Sequence, residues 1–188
     1  MNLENTFNKP VAICGQIGSG KTTIIQELKK MGYSTLILDD YVSNLYKTNN
    51  KLIYEMKEQI GDFIIKEQII SKQLLKEWIL KDFNNIYKIE NIIYPYIYEH
   101  LLNNNYDFIE MPVLDSERID FSELLKYVVV IHRKNKFVVE NTLVDWLNKK
   151  NDYIIDLKRK NKNLIFVDIY NDNQDITKKI KKILVKTQ

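Results

Sequence analysis

Eight consecutive residues, Gly15-Gln16-Ile17-Gly18-Ser19-Gly20-Lys21-Thr22, carry the most specific chemistry in the chain. They match G-x-x-x-x-G-K-[ST], the pattern of a loop that cradles phosphate groups. Three of the chain's five glycines fall inside it. Glycines let the backbone wrap an anion so that successive N–H groups, and the N-terminus of the next helix, point at it. In such a loop Lys21 reaches the β- and γ-phosphates of a nucleoside triphosphate and the Thr22 hydroxyl takes a place on Mg²⁺. Thr23 extends the phosphate-binding stretch by one residue. Taken alone, the pattern could be an ordinary glycine turn. Its surroundings argue otherwise: Pro10-Val11-Ala12-Ile13-Cys14 reads as a buried strand, and Ile24, Ile25 and Leu28 recur at helical spacing from Thr22 onward. Strand, glycine loop and helix in that order predict a triphosphate site.

A second candidate group is acidic. The run Ser34-Thr35-Leu36-Ile37-Leu38 reads as a strand and ends at Asp39-Asp40. In a doubly wound sheet, residues just past the carboxyl end of a strand face the ligand crevice. A carboxylate there can accept a hydroxyl proton or orient the hydroxyl. Asp40 also suits the N-cap of the helical pattern Tyr41, Val42, Leu45, and one residue can serve both ends.

The elements that must position these groups are legible in outline. At 188 residues and 45% hydrophobic content, the chain suits one α/β domain with an inserted subdomain. Further strands are expected at 106–111, 127–131 and 164–167, the fourth nearly all β-branched as a strand buried on both faces should be. From 41 to 105 the pattern reads as helical throughout, with an apolar stripe through Leu74, Leu75, Trp78, Ile79 and Phe83, continued by Ile86, Ile89, Ile92 and Ile93. Pro95 interrupts it, and a new helix resumes at Tyr96. The aromatic series Tyr87, Tyr94, Tyr96, Tyr98 suits packing better than ligand stacking. Residues 133–162 form a charged helical stretch, a candidate lid or a plain surface hairpin. An amphipathic helix over 175–185 closes the chain. Strands alternating with helices predict a parallel sheet with right-handed crossovers.

Bulk properties exclude several classes. A net charge of +3, with lysines scattered among acids, lacks the one-sided basic face of a nucleic-acid binder. The single cysteine, Cys14, allows no internal disulfide, which suits a reducing compartment. No apolar run reaches bilayer length, and the polar N-terminus does not read as a signal peptide. A cytoplasmic protein without membrane partners is expected. After Gly32 the only glycine is Gly61, with Glu58 three residues before it. The D-x-x-G switch of GTPases is therefore absent, as are N-K-x-D and a transporter-type glycine pair. A small kinase remains, with ATP on the loop and an acceptor hydroxyl in a separate pocket.

At this point the chain resembles the dephospho-coenzyme A kinase family, in chain order from about Val11 to Ile131. The family's G-x-I-G-S-G-K-[ST] loop matches residues 15–22, and its D-A-D strand end is approximated by Leu38-Asp39-Asp40. Its R-x-x-L element resembles Lys72-Gln73-Leu74-Leu75, and its H-P-x-I element resembles Tyr94-Pro95-Tyr96-Ile97. D-x-P-L-L-x-E corresponds to Glu110-Met111-Pro112-Val113-Leu114 and beyond. The resemblance implies a P-loop NTPase three-layer sandwich with a five-stranded parallel sheet, a helical acceptor-binding insertion and a helical lid. It divides the single domain into a nucleotide-binding core (10–40, 106–132, 163–188), an acceptor subdomain (41–105) and a lid (133–162). It further implies transfer of the ATP γ-phosphate to the ribose 3′-hydroxyl of dephospho-CoA, with ATP and Mg²⁺ required. On this alignment Lys21 is catalytic, and Asp40 is the base, with Asp39 a competitor one residue away. Asp40, Lys72, Tyr94 and Pro112 face the acceptor, and Glu110 supports the Mg²⁺ shell beside Thr22.

The chain departs from the family at Tyr94, where the family has histidine, and at Ser116, where it has glutamate (here Glu117 follows). Glu140 and Val144 occupy the places of lid arginines, for which Arg133, Lys136 or Arg159 could substitute. Two other readings stay open from these departures: a kinase for a nucleoside or nucleotide, and an ATP-binding regulator that has lost transfer chemistry.

Overall fold

The computed structural model describes residues 9–112, 119–125, 127–133, 142–160, 164–171 and 176–187. Five parallel strands form one sheet in the order β2-β5-β1-β6-β7: β1 (Val11–Gly15), β2 (Thr35–Ile37), β5 (Phe108–Glu110), β6 (Tyr127–Arg133) and β7 (Ile165–Asn171). All five residues of β1 are buried, as a central strand covered on both faces requires. The side chains of Val11, Ile13, Phe108 (in register with Val11), Val129, Ile131, Val167 and Ile169 point to one face. Ile24, Ile25 and Leu28 of α1 (Lys21–Lys30) meet them there, as do Ile180 and Ile183 of α7 (Ile176–Thr187). Gly32, at φ 96°, turns the chain out of α1 toward β2. On the opposite face, α6 (Thr142–Lys158) leads into Arg159, whose guanidinium lies 4.9 Å from the Phe166 ring and pairs with Asp168 of β7.

The register sets the geometry of the site. β5 lies between β1 and β2, so Glu110 is the partner of both Ile13 and Ile37. A residue 88 positions beyond Thr22 is thereby carried beside the start of α1.

A second compact unit is built on residues Asp39–His100. It holds nearly all of α2 (Leu38–Thr48), then α3 (Asn50–Ile60), a 3₁₀ turn over Asp62–Ile64, the antiparallel pair β3 (Ile65–Lys66) and β4 (Ile69–Ile70), and α4 (Lys72–Lys81). Most of α5 (Asn85–Asn103) completes it. Asn49 and Ser71 cap α3 and α4, accepting from the N–H groups of Leu52 and Leu74. Buried Leu52, Met56, Ile64, Ile70, Leu75, Ile89, Ile92 and Ile97 form its interior.

Three expectations are corrected here. The stretch 41–105 is not helical throughout, because a two-residue hairpin turn at Glu67 and Gln68 (φ 52° and 65°) inserts a small ribbon. Neither residue is glycine or asparagine, so the usual sequence signal for a φ-positive turn is missing. Pro95 does not end a helix: α5 runs through it. An interior proline costs about 3 kcal/mol, and burial of Ile92, Ile93 and Ile97 around it offsets that cost. Asp40 is not an N-cap either, since α2 begins at Leu38 and both aspartates lie in its first turn. Carboxylates there interact favourably with the helix dipole. The other strands and the closing helix start or stop within a few residues of expectation, and β6 and β7 run longer. Of the charged stretch 133–162, Arg133 belongs to β6, α6 covers Thr142–Lys158, and 134–141 and 161–162 lie outside the described residues.

Among the described residues, no helix is long and apolar enough to cross a membrane.

Candidate functional site

Gly15 ends β1 at φ 137°, and a Cβ placed there would stand 2.4 Å from the carbonyl oxygen of Ile131. Only glycine lets the loop leave the sheet so close to β6. Gly20 then occupies the N-cap of α1 at φ 95°, without a side-chain cap. The first-turn N–H groups of α1 thus point out of the helix end with no capping side chain among them, the arrangement an anion fits. Within the loop, the Ser19 N–H donates to the Gln16 carbonyl at 3.1 Å, and Ser19 is fully buried. Lys21 is buried too, and its Nζ donates to the carbonyls of Gly15 and Gln16, both at 3.0 Å. The ammonium is therefore held over the start of the loop by the loop itself.

Thr22 Oγ1 donates to Glu110 Oε1 at 3.1 Å, joining the first turn of α1 to the end of β5. A hydroxyl and a carboxylate so placed suit a hard cation, which takes oxygen ligands and usually binds through one or two carboxylates plus substrate phosphates. Among the described residues, no three His, Cys, Asp or Glu side chains converge on a point. Burial pushes the Cys14 thiol up to about 12, with Lys21 opposing and Glu110 adding to the shift. It is a core residue and no nucleophile.

Helix α6 reaches the same loop. Asn148 Oδ1 accepts the Ile17 N–H at 3.0 Å, and Asp152 Oδ2 accepts from Gln16 Nε2 at 2.9 Å. Residues four apart share one helix face, so both contacts come from a single side of α6. Farther along, Arg159 bonds Asp168, which also meets His132 Nε2. Arg159 is thus engaged with β7. Val144 lies in α6 and Arg133 ends β6. Lys136, Glu140, Ser116 and Glu117 lie outside the described residues.

In the second unit, Asp39 and Asp40 are exposed on the first turn of α2. Lys72, the first residue of α4, donates to the Asp39 carbonyl at 3.4 Å and to the Ser43 hydroxyl. Ser43 Oγ in turn donates to that carbonyl. Burial, and next the negative charge of Asp39, raise the Tyr46 phenol. Tyr41 stacks on His100 with ring centroids 4.1 Å apart, and burial holds that imidazole below its ordinary value. Tyr94 is half-buried on α5. Pro112 follows β5 in the sheet unit.

The structure therefore gathers Lys21, Thr22 and Glu110 in the sheet unit, and Asp39 with Lys72 in the helical one. Sequence reasoning missed Asn148, Asp152, Ser43 and His100. Each contacts a residue distant in sequence or through a backbone group, so no local pattern marks it.

Comparison with known proteins bears on the whole arrangement. The family model for dephospho-CoA kinase matches residues 10–151. A Buchnera aphidicola (Acyrthosiphon pisum) dephospho-CoA kinase is 23% identical over 177 residues, covering 89% of this chain and 82% of its own. A Rickettsia typhi dephospho-CoA kinase is 29% identical over 131 residues, covering 65% and 64%. Among solved structures, a dephospho-CoA kinase from Campylobacter jejuni superposes with a TM-score of 0.59 at 20% identity, over 94% of this chain and 96% of that one.

Proposed function

The chain belongs to the dephospho-CoA kinase family, and from that premise we propose that it phosphorylates the ribose 3′-hydroxyl of dephospho-CoA with ATP, giving CoA. The observation that carries this reading is the phosphate loop with Lys21 folded over it and Thr22 bonded to Glu110. Residues 15–23 hold the triphosphate through loop and helix N–H groups, and Lys21 neutralises charge on the β- and γ-phosphates. Thr22 and Glu110 would hold Mg²⁺, which would supply neutralisation of the charge that develops in phosphoryl transfer. Asp40 accepts or orients the acceptor hydroxyl, with Asp39 the alternative one residue away. Lys72, Tyr94 and Pro112 belong to the acceptor side, residues 41–105 to the acceptor subdomain and 133–162 to the lid. A cytoplasmic location suits a chain whose single cysteine, Cys14, is a buried free thiol.

Incubation with ATP, Mg²⁺ and dephospho-CoA, followed by chromatography of the products, should yield CoA. Lys21→Ala should lower kcat/KM by about 10³-fold or more, since phosphoryl transfer rests on positioning and charge stabilisation. Of Asp39→Asn and Asp40→Asn, the one that removes the base should cost the greater share of kcat. Folded wild-type protein that binds both ligands and makes no CoA would overturn the proposal. The engagement of Arg159 with Asp168 favours a second reading in that event, an ATP-binding regulator without transfer activity.

A further inference from the structure

The helical unit contains a cavity of about 440 Å³, within the size range of small-molecule sites. Its walls come from three short pieces of chain: Ser43, Tyr46 and Lys47 of α2, the hairpin from Lys66 to Ile70, and Ser71 and Lys72 at the start of α4. Three lysines and one carboxylate, that of Glu67, line it. Lys72 is tied to the Asp39 carbonyl and the Ser43 hydroxyl. Among the described residues, neither Lys47 nor Lys66 is paired with a carboxylate. Three lysines against the one carboxylate of Glu67 thus leave the described lining of the cavity net positive, and an anion entering it would gain from Lys47 and Lys66.

Backbone strain coincides with this wall. Lys66 pairs with Ile69 across a turn whose two central residues, Glu67 and Gln68, both hold positive φ without being glycine. Such conformations persist where the surroundings over-determine them, and they concentrate at ligand clamps. Here the hairpin is pinned by the Ser71 N–H donating to the Ile64 carbonyl at 2.9 Å and by burial of Ile64 and Ile70. The pinning fixes Lys66 on the rim of the cavity. The opposite wall is the helix whose first turn holds Asp39 and Asp40, and Ser43 belongs to both the cavity and the network on the Asp39 carbonyl.

We propose that this cavity binds the diphosphate bridge of the acceptor, with Lys47 and Lys66 as the charge-bearing specificity residues. The proposal rests on the acceptor being dephospho-CoA, a diphosphate diester of a nucleoside. An acceptor anchored there by its diphosphate lies against the turn that carries the candidate base. Lysine suits the task as a mobile point charge, able to follow a flexible phosphate chain.

The test is steady-state kinetics of Lys47→Ala/Lys66→Ala against wild type, both lysines being exposed and their removal compatible with folding. Loss of two charge-assisted phosphate contacts should raise KM for dephospho-CoA by roughly 10- to 100-fold. The kcat and the KM for ATP should stay within about two-fold, the signature of binding lost equally from ground and transition states. Lys47→Arg/Lys66→Arg should restore most of the affinity. If wild type makes CoA and the alanine variant keeps its acceptor KM, this inference fails while the proposed function stands. If wild type makes no CoA, the proposed function fails and the cavity is judged by calorimetry. Pyrophosphate is then titrated into protein whose phosphate loop is saturated with a non-hydrolysable ATP analogue and Mg²⁺. Binding weakened about ten-fold or more in the alanine variant supports an anion site at Lys47 and Lys66. Equal affinity in both proteins, or no binding to wild type, overturns it.

Discussion

Gly15 shows how narrowly one residue can be constrained. Its backbone sits at φ 137° and its missing Cβ leaves room for the Ile131 carbonyl, which would otherwise be 2.4 Å away. The obstacle is backbone on the neighbouring strand, so no side-chain rotation relieves it. Gly15→Ala should destabilise the protein by about 3 kcal/mol, combining left-handed strain with displacement of β6. In a chain of this length that is a fall of about 10 °C in Tm by thermal melting. An unchanged Tm would mean the loop can leave the sheet by another path. Lys21 differs in kind: it is held by two carbonyls of its own loop, so its replacement should cost activity far more than stability.

At the scale of elements, α6 contacts the phosphate loop through two side chains on one face. Asn148 holds the Ile17 N–H and Asp152 the Gln16 amide. Both bonds are exposed, and each is worth about 1 kcal/mol to stability at most. Their larger effect should fall on loop geometry. Asn148→Ala should raise KM for ATP several-fold while Tm moves by no more than about 2–4 °C. A lower Tm with an unchanged ATP KM would reduce the contact to a packing role. The hairpin at Lys66–Ile69 illustrates the same scale from the other side. Two short strands have little stability alone, and its strained turn persists because Ile64 and Ile70 are buried beneath it.

For the molecule as a whole, the edge strand β7 is secured by a charged cluster as well as by its core side chains. Burial pushes the Asp168 carboxyl up, and the hydrogen bonds from Arg159 and His132 more than reverse this, leaving it below its ordinary value of 3.8. A carboxylate depressed in the folded state stabilises the fold at pH above its unfolded value, and that contribution is lost as pH falls through the lower folded one. Asp168 is about one-third exposed, so the network is worth about 0.5–1 kcal/mol after solvent screening. Asp168→Asn should therefore lose that amount at pH 7 in denaturant titrations. The gap from wild type should close below about pH 4, toward which the stabilising charge disappears. A gap that stays constant down to pH 2 would assign the loss to packing rather than to charge.

Residues 15–22 were readable from sequence alone because their chemistry is local. Glycine spacing sets the loop's conformations, one lysine and one hydroxyl follow at fixed offsets, and apolar runs of period two and 3.6 flank them. The parallel sheet was readable for a related reason, since both-face burial leaves unbroken runs such as Tyr127-Val128-Val129-Val130-Ile131. The partnership of Thr22 with Glu110 was not readable by that route. It depends on β5 lying between β1 and β2, and strand order is decided by packing among segments far apart in the chain. The hairpin escaped notice because Glu67 and Gln68 adopt glycine-like φ values under tertiary constraint, without the residue types that announce them. The same constraint created the lysine-lined cavity, where Lys47, Lys66 and Lys72 converge only once α2, the hairpin and α4 have folded against one another. The sequence alone determined that a triphosphate is gripped by a glycine loop, because every atom of that grip is supplied within a few residues. Tertiary structure decided which distant carboxylate meets it and where the lysines gather, because those contacts exist only after burial has chosen the neighbours.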